Sequence, residues 1–189
     1  MRKRVNEDRE NKVWCMGADL KLLQAISYPN EEWEYVQRLV DEPLGDCYLV
    51  SNMGRVFNTG KQELCRLYPD KEGTKYVKVS LEQCPEGHKN YNVHQLVALA
   101  FVTNPDPERK VRVHHVDVNQ ENNKANNLFW LSTVEHGTAH SLKNNDLAQY
   151  CEQVVEWRKE QPIKAMGQLL ALEVFEGEER AEDIEYERK

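Results

Sequence analysis

Four of the chain's six histidines fall within the stretch from Val111 to His140. His114 and His115 are adjacent and sit in a β-branched run, VRVHHVDV, that reads as a strand. A turn-rich stretch follows from Asn119 to Asn127, and its five asparagines favour turns and local side-chain to backbone hydrogen bonds over a continued ladder. LFWLS then reads as a short returning strand, after which Ser132 or Thr133 can cap a helix carrying His136 and His140. Those two are four residues apart and share one helix face. Two strands and a helix that gather imidazoles and an asparagine suggest a small metal site.

The same residues carry a family resemblance. The segment resembles the ββα-metal motif of the HNH endonucleases: an H-x-D-x-N-x-x-N-N core stands as His115, Asp117, Asn119, Asn122 and Asn123, and an N-L-x-W as Asn127, Leu128 and Trp130. The resemblance implies His115 as general base and Asn127 as the residue bracing the loop that holds it. It implies His114 and His136 as metal ligands; His140, one turn beyond His136, reads as a third ligand, a phosphate contact or a bystander. Asp117, Asn119 and Asn123 would brace the loop. Val118 stands where the family usually has glycine, so a local difference in the turn is expected.

Phosphodiester hydrolysis needs an activated water and positive charge on the phosphate and departing oxygen. A histidine with a reference pKa near 6.5 is mostly neutral at physiological pH and can accept the proton of that water. One divalent ion per site would supply the charge. Imidazole ligands favour Zn, Ni, Co or Mn over Mg, which prefers oxygen. One geometric condition attaches: adjacent strand residues point to opposite faces, so His114 and His115 enter one site only if the strand ends or twists there.

The elements that must position these residues come earlier. DCYLVSNMGRVFN reads as a β-hairpin whose Asn52 and Gly54 permit positive φ; QELCRLYP, KYVKVSLEQ and KNYNV read as further strands. This region, 31–93, resembles the small β-rich module that precedes the motif in phage homing endonucleases, with Glu32, Trp33 and the Y-x-V-S-N-x-G-R-V run from Tyr48 to Val56. That likeness implies DNA contact, for which Arg55, Lys75 and Lys78 are the candidate cations. VHQLVALAFV reads as an apolar helix, and its His94 is expected to satisfy a local hydrogen bond.

Residues 1–30 read as a polar extension with a short helix around Leu20, Leu23 and Ile26; Arg2, Lys3 and Arg4 read as solvated. Residues 94–143 hold the ββα-metal motif, and 144–189 a helical, acidic extension in which DLAQYCEQVVEWRKEQ forms one helix and Pro162 starts another. The fold expected is α+β. Five cysteines without a CxxC pair indicate neither a disulfide framework nor a zinc ribbon. With no long apolar run and a strongly polar beginning, a soluble, cytoplasmic protein without membrane contact is expected.

Net charge is −7, an awkward value for a DNA binder. Its distribution changes the picture: Met1 to Lys143 holds 19 basic against 20 acidic residues, and Asn144 to Lys189 holds 6 against 12. The expectation is therefore a phage-encoded, metal-dependent DNA endonuclease of homing type, acting in the bacterial host. A DNA-binding module without cleavage is one alternative. A homodimer or partner-dependent subunit docked through the C-terminal helices is another.

Overall fold

A computed structural model describes residues 20–41, 44, 47–70, 75–83 and 87–164. Helix α1 (Leu20–Ile26) leads into a four-stranded antiparallel sheet of β1 (Trp33–Tyr35), β2 (Tyr48–Ser51), β3 (Val56–Asn58) and β4 (Glu63–Leu64). A three-stranded antiparallel sheet follows, of β5 (Leu67–Pro69), β6 (Val77–Glu82) and β7 (His88–Asn92). Helix α2 (Val93–Phe101) then crosses to a two-stranded hairpin, β8 (Arg112–His115) and β9 (Leu128–Leu131), which runs into α3 (Thr133–Asn145) and α4 (Leu147–Glu160). The class is α+β, as expected.

Helix α2 is the hub because it is apolar nearly all round, the pattern of a helix buried on several sides. Val93, Leu96, Val97, Ala98, Ala100 and Phe101 are buried against Tyr48 and Val50 of β2, Val79 and Leu81 of β6, and Val113, Leu128 and Trp130 of the β8–β9 hairpin. Trp130 also donates its indole N–H to the Ala98 carbonyl at 3.3 Å. The β-rich part and the histidine-bearing part thus share one core, which fixes the hairpin relative to the sheets.

The β2–β3 turn forms as the sequence predicts, with Gly54 at φ +84°. Arg55 beside it, a candidate cation for DNA, has partners within the fold. Its guanidinium donates to the buried Glu31 carboxylate through Nε at 2.8 Å and again through Nη2, reaches the Ile26 carbonyl at 2.8 Å, and stacks over Tyr28 and Trp33. Partial burial pushes the Glu31 carboxyl up, but its bonds to Arg55, Tyr28 and Ser51 outweigh that and hold it below the usual range. Arg55 ties α1 to the first sheet. Lys78, also expected on DNA, pairs with Asp70 at 2.8 Å, while Lys75 is exposed.

Strand β8 stops at His115, three residues before the predicted run ends, because Val116 to Val118 turn away. Ser132 caps α3 in a reciprocal capping box with Glu135, which also receives Lys110 Nζ at 2.8 Å. The predicted helix from Asp146 is α4, and it packs on the hairpin and α3. Tyr150 and Trp157 form a second core with Phe129, Leu131 and Ala139. Gln161, fully buried, accepts from Trp130 N at 2.7 Å and donates to Trp130 O at 2.9 Å, much as a third strand would. Pro162 starts no helix at that point; Ile163 is extended and bridges Val102.

The remainder of that predicted helix, the acidic ending and the Arg2 to Arg4 cations lie outside the described residues. Cys47 is disulfide-bonded, which the odd cysteine count did not predict. Among the described residues no helix is long and apolar enough to cross a membrane.

Candidate active site

The β8–β9 register sets His114 opposite Phe129 and His115 opposite Leu128, where the strand ends, and the two imidazoles have different neighbours. His114 faces the helices and His115 faces the β-rich part. The sequence-predicted residues therefore divide into two adjoining groups.

On the helical side His114, His136 and His140 come together. Their ring centroids lie 4.7 to 5.2 Å apart, and each residue offers one ligand atom within 4.8 Å of the others. His114 is fully buried, His136 partly and His140 exposed, so the cluster opens toward solvent along α3. The inner histidine has one ring nitrogen bonded, Nε2 to the Tyr150 hydroxyl at 2.9 Å, and one buried with no partner, Nδ1. An unpartnered buried acceptor is costly unless something binds it. Burial, then the charges of His140, His136, His115 and Lys143, push His114 down to about 3. Burial and the charges of His140, Arg112 and His115 lower His136 as well. His114 and His136 are thus held neutral with lone pairs available, the state a divalent ion requires. On these grounds the residues fit a metal, with His140 completing the pair that the sequence offered first.

On the other side His115 is buried, with Nε2 on Asn123 Oδ1 at 3.1 Å. Since that oxygen accepts, Nε2 donates and the lone pair resides on Nδ1. Burial lowers the pKa of His115 and outweighs the opposing effects of Asn123 and Asp117. The loop that holds it is pinned by Asn127, whose Oδ1 accepts from Asp117 N at 3.1 Å and whose Nδ2 donates to Asp117 Oδ1 at 2.8 Å and Asn122 O at 2.9 Å. Asp117 in turn accepts from Asn119 N and the Asn122 amide. Partial burial pushes the Asp117 carboxyl up, yet the bonds from Asn122, Asn127 and Asn119 hold it below the usual range.

Val118 closes this turn by donating its N–H to the His115 carbonyl at 3.0 Å, and it does so at φ +57°. The turn glycine would favour is kept, with a β-branched residue held in the left-handed region by the bonds around it.

Sequence reasoning missed three supports. The β2–β3 turn backs the His115 loop: a Cβ on Gly54 would meet Asn123 Cβ at 3.0 Å, and Ala125 donates to the Asn52 carbonyl at 2.8 Å. Glycine is required there by both close approach and backbone angle. Lys75 N donates to the Gln120 side chain at 2.9 Å, so the cation expected on DNA borders the same loop. His94 does not find the local bond expected of it; its Nδ1 is buried without a partner, and its ring lies 5.2 Å from His115 and 4.7 Å from Tyr76.

Burial and the His115 charge push His94 down to about 3. Folded protein keeps this ring neutral, whereas the unfolded chain protonates it near pH 6.5. Between those values the unfolded state binds more protons, so stability falls on acidification by about 1.4 kcal/mol per pH unit from this residue alone. Urea unfolding of metal-free protein from pH 6 to pH 4 should show that fall. His94→Phe, which keeps an aromatic ring there, should flatten the profile by about that amount; an unchanged slope would show that His94 is not its source.

No protein-family model matches the chain. Two proteins of Acanthamoeba polyphaga mimivirus, both named uncharacterized HNH endonucleases, are similar to it: one is 36% identical over 98 residues, covering 52% of this chain and 24% of the relative, and the other 30% identical over 118 residues, covering 59% and 34%. A solved structure describing DNA binding and cleavage by the HNH homing endonuclease I-HmuI shares the fold, with a TM-score of 0.50 over 66% of each chain and 22% identity. The chain is thus similar to proteins named HNH endonucleases. It spans about a quarter to a third of the length of the curated relatives it matches.

Proposed function

We propose that this protein is a metal-dependent HNH endonuclease that hydrolyses DNA phosphodiester bonds, with His115 as general base and His114, His136 and His140 as metal ligands. The observation that carries the reading is the buried, unpartnered Nδ1 of His114, in a ring that packs edge-on against two further imidazoles, one residue from a histidine bonded to Asn123. When bound, a divalent ion would bind a phosphate oxygen and stabilise the charge on the departing 3′ oxygen. Three nitrogen donors favour Mn, Co, Ni or Zn over Mg.

His115 accepts the proton of a water at Nδ1 as the water oxygen bonds to phosphorus and the bond to the 3′ oxygen breaks. Asn123 steadies the ring from Nε2. Asn127 acts at one remove, fixing the loop through Asp117 and Asn122 so that His115 keeps its orientation. Lys75, beside that loop, is the candidate for phosphate contact; Arg55 and Lys78 are engaged within the fold.

One site per chain fits nicking of one strand, and a homing role agrees with the named function of the structural relative. Helix α4 turns Tyr150 and Trp157 onto the nuclease body, which favours that single-chain reading over docking through this helix. Duplex DNA incubated with the protein and Mn should acquire ends bearing 3′ hydroxyl and 5′ phosphate, which DNA ligase rejoins. Ends that ligase cannot seal would contradict the assigned bond cleavage.

A further inference from the structure

We propose that Tyr150, contributed by α4 from beyond the residues that carry the HNH motif, is a positioning residue for the metal site: it fixes the orientation and tautomer of His114. The proposal rests on the metal-binding reading given above.

Its basis is a chain of two hydrogen bonds whose directions are forced. Tyr150 is buried, and its hydroxyl donates to the Val116 carbonyl at 2.8 Å. A phenol has a single proton, so toward His114 Nε2, 2.9 Å away, the oxygen can only accept. His114 must therefore carry its proton on Nε2 and its lone pair on Nδ1. That Nδ1 is the buried atom without a partner, in the ring that packs edge-on against His136 and His140. A ligand imidazole whose other nitrogen donates to a fixed acceptor is oriented and made more basic, and losing such an outer partner costs about 10–100-fold in metal affinity. Trp157 packs against the same ring, at 6.2 Å between centroids, without contributing a hydrogen bond to it. Helix α4 thus supplies both the wall and the acceptor.

Tyr150→Phe keeps the ring and removes only the hydroxyl. Titration of full-length metal-free protein with Mn or Zn alone, followed by calorimetry, should show affinity falling about 10–100-fold in this variant. Trp157→Phe, which disturbs the same packing and not the bond, should stay within about threefold of wild type, well short of an outer-partner loss. Long-range proton–nitrogen spectra of the metal-free protein should show His114 protonated at Nε2 alone in wild type, with that single form lost in Tyr150→Phe.

Equal affinity in wild type and Tyr150→Phe would overturn the proposal, as would a loss no larger than that of Trp157→Phe. Wild-type protein that binds neither ion would overturn the metal reading and this proposal together. That result appears in wild type itself and is distinguishable from a failure confined to Tyr150.

Discussion

His115→Ala should lower DNA cleavage by about 10²–10⁴-fold, the range that a positioned general base contributes. Metal affinity should survive, because His115 is not among the three imidazoles whose ligand atoms come together and its bonded neighbour is Asn123. The pH profile supplies a second check. Burial lowers the pKa of His115, so its proton-accepting form persists on acidification beyond the point where an ordinary histidine near 6.5 is half protonated. The acid limb of kcat/KM should accordingly lie below pH 6.5 and be absent from the residual activity of the variant. A variant that retains wild-type rates would remove His115 from the mechanism.

His136→Ala should have the second large effect, on the metal. Loss of an outer partner alone costs about 10–100-fold in affinity, so removing a ligand should exceed about 100-fold. Thermal unfolding reads this directly. An ion at a hundred times its Kd stabilises the folded state by about 2.7 kcal/mol. For a chain of this size that raises Tm by about 5–10 °C. Wild type should show the rise with Mn, Co, Ni or Zn, and His136→Ala should lose it while its metal-free Tm stays near wild type. An undiminished rise would mean that the ion binds elsewhere.

What the sequence made legible follows from the range of the interactions involved. The histidine spacing, the asparagine loop and the capped helix are local patterns, and local hydrogen bonds realise them: Ser132 with Glu135, and Asn127 with Asp117. The β2–β3 hairpin and the apolar character of α2 were legible for the same reason. What stayed hidden depends on residues far apart in the chain.

Arg55 reads as a free cation until folding brings Glu31 and Tyr28 against it. Tyr150 reads as one apolar position of a helix, although it bonds a histidine 36 residues away. Gly54 reads as a turn residue, and only the fold shows that Asn123 leaves no room for a side chain there. Val118 shows the reverse case. Its residue type argues against a left-handed turn, and the chain adopts one there regardless. His94 was misjudged because a local partner was assumed where the core provides only aromatic rings.

The central claim is metal-dependent cleavage of DNA, and supercoiled plasmid tests it most directly. Protein first stripped with EDTA should leave the plasmid intact. Adding back Mn, Co or Ni in excess of chelator should convert it to open circles, with Mg supporting a slower reaction. Cleavage that persists in EDTA, or folded, metal-loaded protein that leaves the plasmid supercoiled with every ion, would contradict the account.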